Sequence, residues 1–161
     1  MILVTVGSNE HQFNRLIKEI DELKERKILK EEIIAQIGNS TYFPKNFDYF
    51  KFKPYEEMEN LTRKSDIVIS HAGAGSIMLA LEMKKPLIVV PRMKKYGEHI
   101  NDHQVEITRQ LEKEGKLIGV YEIEKIMPAI IKARKIKKLK SIKQTKIIEI
   151  LNKFVKRLEV E

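Results

Sequence analysis

Short apolar runs alternate with segments of helical periodicity along most of this 161-residue chain. Six of the runs have the composition of buried β-strands. They comprise residues 2–6, 33–37, 47–52, 67–69, 87–90 and 117–120. Apolar positions three and four residues apart from Phe13 onward predict a helix, and Pro54 opens another that runs to about Lys64. A further helix is expected from about residue 100 to 114.

This alternation of strands and helices predicts an α/β fold, because parallel strands need helical crossovers that cover the sheet. We expect a single Rossmann-like domain over residues 1–130, with a six-stranded, mostly parallel sheet and helices on both faces. Its ligand crevice should lie at the carboxyl ends of the strands. Residues 131–161 are expected to form a helical tail, in which Ile147, Leu151, Phe154 and Leu158 follow a narrow apolar seam.

A glycine-containing turn follows the fourth predicted strand and precedes a helix. It consists of His71, Ala72, Gly73, Ala74, Gly75 and Ser76. Its glycines allow a ligand to approach the backbone, and amides at a helix N-terminus attract anions. Ser76 is expected to cap the helix or to donate to a phosphate oxygen. The alternative is a tight turn without a ligand, in which His71 serves packing or capping.

A second polar loop follows the fifth predicted strand at the same edge of the sheet. It contains Arg92, Glu98, His99, Asn101, Asp102, His103 and Gln104. Carboxylate and amide groups suit sugar hydroxyls, and Arg92 is expected to face a phosphate. Two alternatives stay open. In the first, His99 and His103, which lie four residues apart, share one face of a helix and bind a metal, although the loop lacks a third ligand. In the second, the loop is a polar segment exposed to solvent.

A third loop, with Gly7, Ser8 and Asn9, closes the first predicted strand. Ser8 or Asn9 is expected to cap the following helix. Because the carboxyl ends of parallel strands meet at one edge, the three loops together predict a shared pocket.

Charge is distributed unevenly along the chain. Residues 131–161 carry 11 basic and 3 acidic side chains, and the difference between these counts equals the whole net charge of +8. In residues 1–130 the basic and acidic side chains are equal in number. Nucleic-acid binding is therefore not expected, because the charge of the tail alone would support it. A lysine-rich tail better fits a membrane surface or a partner protein, although it could instead pack on its own domain. The absence of cysteine fits a cytoplasmic location, and no apolar stretch is long enough to span a bilayer.

Three segments, VTVGSNEHQFNRLI, SHAGAGSI and PRMKKYGEHINDHQ, together resemble the donor-binding C-terminal half of GT-B glycosyltransferases of family 28. The resemblance covers about residues 1–125 and is closest to the stand-alone subunits of two-component UDP-sugar transferases. It implies that the diphosphate lies against His71, Gly73, Ala74, Gly75, Ser76 and Arg92. It further implies that Glu98, His99, His103 and Gln104 contact the sugar, and that Gly7, Ser8 and Asn9 line the cleft.

The same resemblance implies an inverting transfer from a UDP-sugar to a lipid-linked acceptor, with no cofactor and no metal. The acceptor site and the catalytic base would belong to a membrane-anchored partner subunit. The chain would then be inactive alone and peripheral to the cytoplasmic face of the membrane. One position departs from the family pattern: Leu79 stands where relatives often have a glutamate that binds the ribose, and Glu82 lies one turn further on. The alternative is therefore a non-catalytic module that binds a UDP-sugar.

Overall fold

A computed structural model describes residues 1–136 together with Glu149 and Asn152. The strands within this part are β1 (Ile2–Thr5), β2 (Ile33–Gln36), β3 (Asp48–Phe50), β4 (Ile67–Ser70), β5 (Leu87–Val89) and β6 (Ile118–Gly119). Its α-helices are α1 (Asn14–Glu25), α2 (Tyr55–Lys64), α3 (Ala74–Glu82), α4 (His103–Lys113) and α5 (Ile126–Arg134). No helix in this part is both long and apolar enough to cross a membrane.

The strands form one sheet in the order β3-β2-β1-β4-β5-β6, and every neighbouring pair is parallel. This confirms the predicted Rossmann-like α/β fold. The strand order reverses between β1 and β4, which are paired from Ile2 with Ile67 to Thr5 with Ser70. The loops that follow β1 and β4 therefore leave the sheet side by side, at the position where ligands bind in open α/β sheets.

Two apolar layers cover the sheet because successive strand residues point to opposite faces. In β4, Ile67 and Ile69 join the larger cluster, which includes buried residues of α1 and α5. Val68 between them joins the second cluster, which contains residues of α3 and α4. This near-continuous burial of the strands is typical of a parallel sheet with helices on both faces.

Three element boundaries differ from the sequence predictions. Helix α4 begins at His103 rather than near residue 100, because Gly97 (φ 65°) ends a short 3-10 turn and the Asn101 side chain accepts the His103 amide. Strand β3 is shorter than predicted and pairs on one side only. Helix α5 runs across the predicted boundary at residue 130, with Ile130 fully buried in the core. The apolar seam predicted in the tail lies outside the described residues.

Candidate functional site

The turn after β4 exposes the amino end of helix α3. Gly73 is the N-cap residue, and the first helical hydrogen bond runs from the Ile77 amide to the Gly73 carbonyl at 3.1 Å. The amides of Ala74, Gly75 and Ser76 therefore have no helical acceptor. Gly75 is exposed, and a Cβ built there meets nothing within 4 Å. The predicted capping role of Ser76 is wrong, since Ser76 is the third helical residue and no side chain caps the helix.

His71 fills the space between two glycines beside this turn. A Cβ on Gly7 would lie 2.4 Å from the imidazole, and one on Gly73 would lie 2.1 Å from its Nε2. The ring is buried. Burial, together with the nearby charge of Arg92, lowers the pKa of His71 to about 4. The imidazole is therefore neutral at physiological pH.

Arg92 is fully buried rather than directed toward an open cleft. Its guanidinium donates to four backbone carbonyls, those of Val6 (2.7 Å), His11 (3.0 Å), Gln12 (3.0 Å) and Glu98 (3.2 Å). The predicted phosphate contact does not fit this geometry, because the side chain is fully buried and both of its terminal nitrogens donate to backbone carbonyls. Burial lowers the pKa of Arg92 to about 10, against the opposing effect of Glu98. Arg92 thus keeps its positive charge at neutral pH, and this charge lowers the pKa of His71 and of His99.

Glu98 is also fully buried, which does not fit the predicted contact with a sugar. Its two carboxylate oxygens accept from Nε and Nη2 of Arg15, each at 2.9 Å, and one also accepts the Met93 amide at 3.0 Å. Arg15 was not expected from the sequence, because a charged residue at this point of an amphipathic helix normally faces solvent. Its partner lies 83 positions away, so no local pattern could reveal it.

The half-buried side chains at this edge include those of His11, His99, His103 and Gln104. The rings of His11 and His99 are stacked with centroids 6.4 Å apart. Burial and the Arg92 charge lower the pKa of His99. Gln104 Oε1 accepts the Arg92 amide at 3.0 Å, so its Nε2 donors remain for a ligand.

The alternative of a metal site needs His99 and His103 on one face of a helix, but His99 precedes the start of α4. Within the described residues, no group of three or more His, Cys, Asp or Glu side chains is arranged to hold a metal ion.

The loop after β1 forms the opposite wall of this region. Gly7 has φ 71°, and Ser8 is exposed. Asn9 Oδ1 accepts the His11 amide at 2.9 Å, while the Phe13 amide at the start of α1 donates to Ser40 Oγ at 3.1 Å. The prediction that Ser8 or Asn9 caps α1 is therefore wrong. Ser40 reaches α1 from the loop after β2, a contact that no local sequence pattern indicates.

Comparisons with known proteins agree with this architecture. Residues 1–158 match the model of the glycosyltransferase family 28 C-terminal domain. The UDP-N-acetylglucosamine transferase subunit ALG13 of Homo sapiens is 38% identical over 127 residues, which cover 72% of this chain and 10% of that protein. ALG13 of Debaryomyces hansenii is 34% identical over 122 residues, covering 70% of this chain and 55% of that protein. The chain thus spans from a tenth to about half of the length of these relatives.

An NMR solution structure of ALG13 has the same fold. It superposes with a TM-score of 0.61 at 21% sequence identity and covers 93% of both chains. Together with the family match over nearly the whole sequence, these findings show that the chain belongs to the glycosyltransferase family 28 C-terminal domain.

Proposed function

We propose that this chain binds a UDP-sugar and is the donor-binding subunit of a two-component inverting glycosyltransferase. The observation that carries the proposal is the uncapped first turn of α3, with Gly75 open to solvent beside the buried His71. Bare amides at a helix N-terminus are well suited to a diphosphate. Family membership supports a transferase, and the names of the relatives make UDP-N-acetylglucosamine the first donor to test.

In the proposed reaction, an acceptor hydroxyl attacks the anomeric carbon, and the bond from that carbon to the diphosphate oxygen breaks. UDP leaves with the bonding electron pair, and the hydroxyl proton passes to a base. The first-turn amides of α3 and the field of buried Arg92 would stabilise the charge that develops on UDP. This chain would therefore assist the departure of the leaving group. We propose that no metal or other cofactor takes part.

The sugar would lie toward the loop after β5. Gln104 has its carbonyl oxygen engaged by the Arg92 amide, so it offers hydrogen-bond donors to acceptor atoms of the sugar. His99 and His103 are half-buried near the start of α4 and are the remaining candidates for this contact. Gly7 and Ser8, with Asn9, would line the side of the cleft that faces the partner.

A separate partner subunit is part of the proposal, because the described fold corresponds to one half of a GT-B enzyme. This partner would be anchored in the membrane and would supply the base and the lipid-linked acceptor. The chain alone would be inactive, and it would lie in the cytoplasm against the membrane. The tail, residues 131–161, supplies the positive charge for such a location.

Calorimetry with UDP tests the donor site. Gly75→Asp should abolish binding, because it places a carboxylate among the amides that would hold the phosphates. The fold should survive, since the added side chain meets open space and an acid is favourable in the first helical turn. Asn60→Asp is the matched control: it adds the same charge at an exposed position of α2 and should leave binding unchanged. Equal affinity in the wild type and Gly75→Asp would place the nucleotide elsewhere.

One observation favours a second candidate, a non-catalytic module that binds the same ligand. Position 79 holds a leucine that is 8% exposed, so it offers no carboxylate for a ribose. Co-expression with a candidate partner and a radioactive sugar-transfer assay distinguishes the two. Transfer that disappears in Gly75→Asp supports the enzyme, whereas UDP binding without transfer in the complex supports the module.

A further inference from the structure

Three charged side chains tie together the loops that follow β1 and β5. We call Arg15, Arg92 and Glu98 the clasp. Their side chains are 15%, 0% and 0% exposed, although they come from positions up to 83 residues apart. Because β4 lies between β1 and β5 in the sheet, the clasp spans the end of the strand that His71 directly follows.

The clasp links the loop after β5 both to the loop after β1 and to the start of helix α1. Arg92, from the loop after β5, donates to carbonyls of Val6, His11 and Gln12 at the end of β1 and in the loop after it. In the other direction, Arg15 of α1 binds the carboxylate of Glu98 through two nitrogens and donates to the Pro91 carbonyl at 3.2 Å. A bidentate pair of this kind fixes orientation as well as distance.

Two groups at the proposed donor site lie next to these links. Gly7, which bounds the His71 ring, directly follows Val6, whose carbonyl accepts from Arg92. Gln104 is oriented by the Arg92 amide. The charged groups of Arg92 and Glu98 are themselves buried, so a ligand in the cleft does not reach them. Burying charged groups costs free energy, and a buried ion pair is weak evidence for a gain in stability. The better explanation for the clasp is that it fixes the geometry of the loops it joins.

We infer that Arg92 and Glu98 are positioning residues: the clasp sets the distance between the loops after β1 and β5 and thereby places His71 and Gln104 for the donor. This inference rests on the proposed function for its consequence, but its structural part can be tested without any ligand.

Amide hydrogen exchange on the free protein tests the link between the loops. Glu98→Gln keeps the shape of the side chain and removes its charge. Exchange should become at least tenfold faster in both loops, residues 7–13 and 91–102, and should not change in β1 or β4. Arg63→Met, which breaks the exposed pair with Glu59 on α2, is the control and should leave both loops unchanged. Faster exchange confined to residues 91–102 would overturn the inference, whether or not UDP binds.

A double-mutant cycle on UDP affinity separates positioning from contact. Arg15→Met and Glu98→Gln should each weaken UDP about tenfold, and the double variant should be no weaker than the worse single one. Arg15→Lys should restore part of the loss, and the ratio of the UDP-N-acetylglucosamine and UDP affinities should stay constant. If Glu98 touched the sugar, Glu98→Gln would alter that ratio, also in the Arg15→Met background, and the inference would fail. A wild type that binds no UDP refutes the proposed function, while hydrogen exchange still decides on the clasp.

Discussion

At the scale of single residues, two glycines of the site serve the packing of His71. Gly7→Ala should destabilise the protein for two reasons. A left-handed backbone (φ 71°) costs a side chain about 1–2 kcal/mol, and the overlap with the imidazole adds roughly 1–3 kcal/mol. Gly115→Ala is the matched control, because φ is 68° there and its Cβ meets nothing within 4 Å. Urea denaturation should show the larger loss for Gly7→Ala; equal losses would mean that the overlap relaxes freely.

The buried imidazole also predicts a dependence of stability on pH. The pKa of His71 is about 4 in the folded protein, mainly through burial, whereas the ordinary pKa of histidine is 6.5. Between these pH values the unfolded chain binds a proton at His71 that the folded protein does not. The contribution of His71 to stability is therefore fully present above pH 6.5 and is lost as the pH falls toward 4. The loss should reach about 3 kcal/mol, at 1.36 kcal/mol per unit. Urea denaturation of His71→Gln at both pH values should show this component missing; an identical pH dependence would contradict it.

At the scale of elements, Asp21 fastens the loop between β2 and β3 to helix α1. It is 2% exposed and accepts hydrogen bonds from the Tyr42 hydroxyl (2.7 Å), the Lys45 amide and the Asn46 amide. Burial alone would raise the pKa of Asp21, but these bonds outweigh it and lower the pKa. Asp21→Ala should cost about 3 kcal/mol in urea denaturation, because it leaves several donors unpaired. Glu22→Ala, at the exposed neighbouring position, should change stability by less than about 0.5 kcal/mol; comparable losses would refute this role.

Elements whose sequence signal is local were predictable. Apolar runs identify strands such as β1 and β4, and their parallel pairing brings the loops at residues 7 and 71 together. The start of α4 was missed because it depends on the side chain of Asn101. The roles of Arg92 and Glu98 were missed for a different reason. Charged residues are expected at the surface, and the partners that allow their burial come from the loop after β1 and from helix α1.

At the scale of the whole molecule, charge separates the tail from the balanced remainder of the chain. Vesicles containing phosphatidylserine should bind the full chain, and added salt should weaken that binding. Three tail lysines changed to glutamine should reduce partitioning by about 3 kcal/mol, at roughly 1 kcal/mol each. The variant carries changes at Lys137, Lys138 and Lys140. A matched control carries them at exposed lysines of the folded part, Lys51, Lys64 and Lys113. Equal effects of both sets would refute a specific role of the tail.

The tight fit of the imidazole between Gly7 and Gly73 restricts how related sequences can diverge. A methyl group at either glycine position requires first that residue 71 become smaller, and a wider ring at 71 has no room while either neighbour is close. Positions 7, 71 and 73 should therefore covary as a trio across homologues. Position 75, which faces open space, is exempt from that restriction, and under the proposed function ligand recognition would limit it instead.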